Sequence, residues 1–279
     1  MKRILCPTDF SEASINAIEF AAKIGETHHS KLTLVYIFME DQIRNVLGKG
    51  GSDLSFEEWK ILAEEKLQNL TKEVNSTSLE NGLMECDYLM VVGDLTKTVV
   101  KLCKKERYDL IVMGTSGVRD VSEEYMGSNT FKVINASNCP VICVPIRAQF
   151  KDFKKIVYAT DYQEEDKIMV QELIYFCYPF DAHLTILHIS KTDSIIDQAA
   201  YEQFKQDIKN FIVYDDLSFV RKTYEDDVTL GIDKFMVNEN ADLLVLLDRH
   251  RNFFEQIFHR SVIKKMSYFT DYPILIYKG

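Results

Sequence analysis

Short apolar runs rich in Val, Ile and Leu alternate along the chain with longer stretches whose apolar residues recur at helical spacing. In the N-terminal half the runs fall at about 3–8, 31–38, 85–92, 109–113 and 140–146, and the helical stretches at about 11–26, 55–75, 95–106 and 128–137. In the C-terminal half the runs fall near 155–160, 183–189, 217–224, 242–247 and 273–277. Nearly continuous apolar strands separated by helices predict parallel sheets covered on both faces, with right-handed crossovers. Ser11 before Glu12 reads as an N-cap, with Ile15, Ile18 and Ala22 as the inward stripe of the first helix.

The two halves repeat each other. Lys2–Asp9 (KRILCPTD) matches Lys154–Asp161 (KKIVYATD), and Leu32–Ile37 matches Leu184–Ile189, both at an offset of 152. Asp109–Val112 matches Asp242–Val245 and Pro140–Cys143 matches Pro273–Ile276, both at an offset of 133. Two constant offsets imply a tandem duplication with a net deletion of 19 residues in the second copy, between its second and fourth strands. The expected domains are 1–147 and 153–279, with the boundary near Ala148 to Phe153.

Composition narrows the function classes. The 279 residues are 46% hydrophobic and 27% charged, as in ordinary globular domains, and carry a net charge of −10. That acidity argues against a nucleic-acid binder, which needs a basic face. The opening MKRILCPTDF is broken by Pro7 and Asp9 and is too short for a signal peptide, and no apolar run approaches a membrane span. The six cysteines form no CxxC pair, and several lie in apolar runs, so they read as reduced core residues of a cytoplasmic protein. No HExxH is present and the six histidines are scattered, so no metal site is expected.

The unusual residues of the first copy cluster after its first and fourth strands. Pro7-Thr8-Asp9 follows the first. After the fourth the chain reads GTSGVRDVSEEYMGSNT, a G-x2-G-x9-G-S pattern formed by Gly114, Gly117, Gly127 and Ser128. Glycines let the backbone approach a ligand, and the helix opening at Gly127-Ser128 offers free N–H groups to an anion. Ser128 and Thr130 add hydroxyl donors, and Arg119 could reach a phosphate. The pattern is neither a Walker A loop nor GxGxxG. Taken one at a time, these glycines read as turn and cap residues; their spacing, after a fourth strand and before a fourth helix, reverses that reading.

The residues ILCPTDFSEAS, IVMGTSG, the G-x2-G-x9-G-S spacing and the closing CPVICVP resemble the universal stress protein family, over the whole first copy and more weakly over the second. The resemblance implies an α/β, Rossmann-like fold of the adenine nucleotide alpha hydrolase type. It comprises two tandem doubly wound five-stranded parallel sheets in the order 3-2-1-4-5. It also implies ATP, with Mg²⁺, as the cofactor: Pro7, Asp9 and Ile37 on the adenine side, and Met113, Gly114, Gly117, Gly127, Ser128 and Thr130 on the ribose and phosphate side. Thr8 and Asn129 flank these positions and complete the candidate set with Arg119. The implied role is a stress-response sensor or regulator with at most weak ATP hydrolysis. A slow ATPase or phosphotransfer enzyme and a nucleotide-free interaction scaffold are the alternatives. The family's dimers imply that the two copies pack through their final strands as an intramolecular pseudo-dimer, with homodimers a further expectation. The adenine nucleotide is the expected partner; no nucleic acid or membrane is.

The second copy keeps no glycine of the set. At offset 133, Gly114, Gly117, Gly127 and Ser128 correspond to Leu247, His250, Arg260 and Ser261; a one-residue slip brings Asp248 and Arg251 to the first two places. Bulky side chains should therefore fill the phosphate position, and Asp161 reads as a helix cap. The Arg249–Arg251 stretch, with His250 and His259, reads as a solvated turn, with an anion site as the alternative, and His28-His29 reads as exposed turn residues at the end of the first helix. The long segment 39–56, with Lys49-Gly50-Gly51-Ser52, reads as a lid or as a plain connection.

Overall fold

The computed structural model describes residues 1–41, 43, 54–79, 84–115, 128–224, 227–249 and 270–279. They form two compact units, one ending at Ile146 and the other beginning at Arg147. The first unit runs β1 (Arg3–Thr8), α1 (Glu12–His28), β2 (Lys31–Phe38), α2 (Phe56–Leu79), β3 (Cys86–Val92), α3 (Leu95–Glu106), β4 (Leu110–Thr115), α4 (Ser128–Ala136) and β5 (Val141–Pro145). The second runs β6 (Lys155–Ala159), α5 (Glu164–Cys177), a 3-10 turn (Tyr178–Phe180), β7 (His183–Ser190), α6 (Ile195–Phe211), β8 (Leu217–Thr223), α7 (Val228–Glu239), β9 (Leu243–Asp248) and β10 (Ile274–Lys278).

All pairings within each unit are parallel. The first unit has the order β3-β2-β1-β4-β5 and the second the equivalent β8-β7-β6-β9-β10. The order 3-2-1-4-5 implied by the resemblance is therefore the order of the sheet. It makes β1 and β4 neighbours whose helices leave in opposite directions, which opens a crevice at their carboxyl ends. Strands β1, β4, β5 and β9 are almost wholly buried, whereas β3 and β8 are half-exposed.

The duplication is written into local geometry as well as sequence. Asp109 accepts hydrogen bonds from the amides of Lys2 (2.6 Å) and Arg3 (3.0 Å), and Asp242 does the same for Lys154 (3.0 Å) and Lys155 (2.8 Å). Each carboxylate fixes the start of the first strand of its unit. Among the described residues, every non-glycine residue with positive φ in one unit has its counterpart in the other: Phe10 with Tyr162, His29 with Asp181, Arg107 with Asn240. His29, Arg107, Asp181 and Asn240 end helices in the left-handed conformation. The missing residues of the second copy fall where its β7–α6 connection shrinks to 191–194, against 39–55 in the first, and where α6 has 17 residues against the 24 of α2.

Some expectations are corrected. Ser11 caps α1, its hydroxyl accepting from the amide of Ser14 (3.3 Å), but Ile15 is 38% exposed and only Ile18 and Ala22 of the stripe face the core. Helix α2 continues to Leu79, past Asn75, whose side chain clamps Cys86 of β3 through both its amide (2.9 Å) and its carbonyl (2.8 Å). His29 is exposed, as a turn residue should be, but His28 is half-buried. All six cysteines are free thiols. Burial drives the Cys6 thiol far up, and burial reinforced by Asp87 and Glu85 pushes Cys86 up to about 12. Burial likewise pushes Cys177 up to about 12. Such thiols stay protonated and unreactive at neutral pH.

Candidate functional site

The β1–β4 pairing (Ile4 with Leu110, Leu5 with Ile111) carries Pro7-Thr8-Asp9 and Met113-Gly114 out at one end of the sheet. Thr8 pairs with Tyr36 of β2, so Ile37 lies one residue beyond on the adjacent strand. On the other side Gly114 pairs with Val144. Helix α4 begins at Ser128, and Thr130, buried in its first turn, donates its hydroxyl to the Gly114 carbonyl (3.2 Å). Pro7, Thr8, Asp9, Ile37, Met113, Gly114 and Thr130 thus gather around one crevice, with Asn129 exposed in the α4 turn. Gly117, Arg119 and Gly127 lie outside the described residues, as do residue 42 and residues 44–53 of the 39–56 segment.

Gly114 is fixed by packing. A Cβ there would stand 2.2 Å from the Ala13 carbonyl oxygen, 2.4 Å from its carbon and 2.9 Å from the Ser14 amide nitrogen. The backbone of α1 therefore lies directly on the end of β4, and only glycine permits that approach. This contact links the two halves of the crevice: the start of α1 carries Ser11 and Ser14, which organise Asp9.

Asp9 is exposed at the rim, between a buried Thr8 and a partly buried Phe10. Its Oδ1 accepts from the Ser11 amide (3.0 Å) and the Ser11 hydroxyl (2.5 Å). Partial burial alone would raise its pKa, but these donors and the Ser14 hydroxyl outweigh it, and the carboxyl sits below its ordinary value. Thr8 Oγ1 is 3.0 Å from Ser14 Oγ and accepts from the Phe10 amide (3.1 Å), which holds Phe10 at φ 64°. Phe10 packs on Tyr36 (centroids 4.7 Å apart) with Lys66 Nζ over its ring at 4.6 Å. Burial, and secondarily the charge of Asp9, raises the pKa of the Tyr36 hydroxyl. Thr115 Oγ1 is buried at the end of β4 without a hydrogen-bond partner. The crevice therefore presents a fixed anionic group, strand-end backbone and the first turn of a helix. Among the described residues no group of three His, Cys, Asp or Glu side chains could hold a metal ion.

The second unit answers the same position differently. Its pairings keep the offset of 133 to the end of β9: Ile156 pairs with Leu243 as Ile4 does with Leu110, and Leu247 with Tyr277 as Gly114 does with Val144. Leu247 therefore occupies the place of Gly114 with no slip. Two expectations fail here. Asp161 is not the helix cap: Gln163 caps α5 in a capping box with Asp166. Arg249 is not a solvated turn residue either: its side chain is 6% exposed and its guanidinium bonds both Asp161 and Asp166. Arg251, His250 and His259 lie outside the described residues.

Sequence reasoning passed over Ser11 and Ser14 as ligands of Asp9, and Arg249 as a buried cation. The S-x-x-S spacing was the available signal for the serines. For Arg249 the signal was the replacement of Ser14 by Asp166 at the repeat offset, which puts a carboxylate where the first unit has a hydroxyl.

A tandem pair of doubly wound parallel α/β units, the first with its polar residues collected at the switch point, is the class that fold and site define. The model of the universal stress protein family matches residues 1–145, just over half of the chain. The chain belongs to that family. A universal stress protein of Methanocaldococcus jannaschii is 32% identical over 157 residues, spanning 51% of this chain and 94% of its own. One from Thermus aquaticus is 27% identical over 143 residues, spanning 51% and 98%. Over the full length, the crystal structure of a universal stress protein from Archaeoglobus fulgidus superposes with a TM-score of 0.76 at 15% identity, covering 99% of this chain and 98% of that one, which is a likeness of fold. No described helix is long and apolar enough to cross a membrane.

Proposed function

We propose that the first unit binds ATP, or a related adenine nucleotide, with Mg²⁺, and that the protein is a cytoplasmic stress-response sensor or regulator working through that binding rather than through turnover. The observation that carries this reading is the placement of Gly114. The first glycine of the G-x2-G-x9-G-S pattern stands at the β1–β4 switch point, packed on the start of α1 that carries the serines holding Asp9, where open α/β sheets take their ligands. Pro7, Thr8, Asp9 and Ile37 would border the base, Met113 and Gly114 the ribose, and Gly117, Arg119, Gly127, Ser128, Asn129 and Thr130 the phosphates. The backbone amides at the start of α4 would favour the phosphate charge. Asp9, kept ionised by Ser11, would accept a donor from the nucleotide or hold the hydrated metal. The domains are proposed to run over 1–147 and 153–279.

Gly127→Glu tests this reading. It places a carboxylate where the phosphates are proposed to sit, and the expected result is loss of ATP binding in equilibrium titration with an unchanged circular dichroism spectrum. A folded variant that keeps the wild-type affinity contradicts the assignment.

A further inference from the structure

The second unit has its own crevice at the carboxyl ends of β6, β7 and β9. It is a cavity of about 290 Å³ lined in part by Thr160, Asp161, His188, Ser190, Leu247 and Arg249. Three replacements separate it from the crevice of the first unit. Cys6 becomes Tyr158, Ser14 becomes Asp166, and an arginine, Arg249, follows the end of the fourth strand. All three meet at one point. Asp166 is 0% exposed and accepts from the Tyr158 hydroxyl, the Thr160 hydroxyl (2.7 Å), the Gln163 amide (2.9 Å) and Arg249. The other arm of the Arg249 guanidinium reaches Asp161, the counterpart of Asp9.

The exchange is balanced in charge. The first unit presents one carboxylate, Asp9, beside a neutral Ser14; the second presents two carboxylates and one guanidinium. A carboxylate buried as deeply as Asp166 is strongly unfavourable unless a cation and hydrogen bonds compensate it. A planar guanidinium, with its two arms on two different carboxylates, supplies both. Burial works against the charge of Arg249, but Asp166 and Asp161 overcome it and raise its pKa above the ordinary value. Because Arg249 is part of the chain, its effective concentration at the pair is in the millimolar range or above, and no free cation competes easily.

We propose that Asp161 and Asp166 form a guanidinium-binding site filled in cis by Arg249, so that the switch-point crevice of the second unit is liganded by its own chain. The nucleotide position is thereby closed on two counts, with Leu247 in the place of Gly114 and a salt-bridged cation on the carboxylate that the first unit leaves exposed. Of the residues lining the cavity, Ser190 and Arg249 each keep a buried polar atom, Oγ and Nε, without a hydrogen-bond partner among the described residues. The second unit keeps its crevice in order at every nucleotide concentration. The inference stands whatever the first unit binds.

The test is chemical rescue in the full-length chain. Arg249→Ala removes the atoms of ethylguanidinium, so the probe is ethylguanidinium chloride at millimolar concentration, with ethylammonium chloride and sodium chloride as controls. The expected results are a lowered thermal midpoint for Arg249→Ala and its saturable recovery by ethylguanidinium but not by the controls. The folding constant should rise about elevenfold when the probe stands at ten times its dissociation constant, and the wild type should not respond. Equal stability of Arg249→Ala and wild type, or recovery by all three salts alike, overturns the proposal. If Arg249→Ala does not fold, the double variant Asp166→Ser, Arg249→Ser leaves Asp161 as the single carboxylate beside a serine, the arrangement that Asp9 and Ser14 have in the first unit. It is expected to fold and to ignore ethylguanidinium; a double variant that also fails to fold overturns the proposal.

Discussion

Gly114→Ala is the sharpest perturbation of the first unit. The added Cβ would meet the Ala13 carbonyl oxygen at 2.2 Å, the Ala13 carbon at 2.4 Å and the Ser14 nitrogen at 2.9 Å, all backbone atoms of the first turns of α1. Overpacking a core that can yield costs ~1–3 kcal/mol, and a contact made wholly with backbone belongs at the upper end, ~3 kcal/mol. Reduced freedom of the unfolded chain returns ~0.4–1 kcal/mol. The net loss of ~2 kcal/mol corresponds to a fall of ~4–8 °C in the midpoint of a domain this size. The assay is thermal unfolding of nucleotide-free protein followed by far-UV circular dichroism. The loss should appear without ligand, because it arises from the approach of α1 to β4. A midpoint within about 1 °C of wild type in the nucleotide-free protein would refute the packing argument. So would a loss seen only when ATP is present.

Other outcomes follow from the same geometry. Ser11→Ala removes both the cap of α1 and the hydroxyl donor to Asp9, leaving the amide donor in place, and should lower stability by about 1 kcal/mol in urea unfolding. The depressed pKa of Asp9 means that its contribution to stability is present above the ordinary carboxyl value and is lost as pH falls through the lower, folded one. Wild type and Asp9→Asn should therefore differ by a constant amount at neutral pH and converge only below about pH 4. Cys6, Cys86 and Cys177 should resist a thiol reagent at pH 8 in the native protein and react at once on unfolding; rapid labelling of any of them in folded protein would contradict their burial. Tyr158→Phe leaves Asp166 one donor short and should destabilise the second unit by ~1–3 kcal/mol.

The strands were legible because buried parallel strands are short, apolar and bounded by helices, a pattern that survives in both copies. The repeat sharpened it further, since Asp109 and Asp242 mark the same strand-start contact. The end of α2 was not legible: Asn75-Ser76-Thr77-Ser78 are weak helix formers, yet the helix runs through them to Leu79. Ile15 looked inward from spacing alone, but the buried face of α1 is centred on Ala17, Ala21 and Ile24 and leaves Ile15 just beyond its edge. The candidate residues stand out in the sequence because glycines and an aspartate at strand ends are few and their spacing is distinctive. Arg249 was hidden for a physical reason. An arginine in a polar turn is usually solvated, and its partner Asp166 sits in an acidic helical turn, EED, that reads as surface. Only the fold shows that Asp166 points inward and that the chain returns after β9 to meet it.

The central claim is that one unit of this tandem protein takes an adenine nucleotide and the other does not. The most direct measurement is the number of ATP molecules bound per chain, by equilibrium titration of purified, nucleotide-stripped protein with Mg²⁺. The account predicts one site per chain, abolished by Gly127→Glu and untouched by Arg249→Ala. Two sites, or none at all, would contradict it.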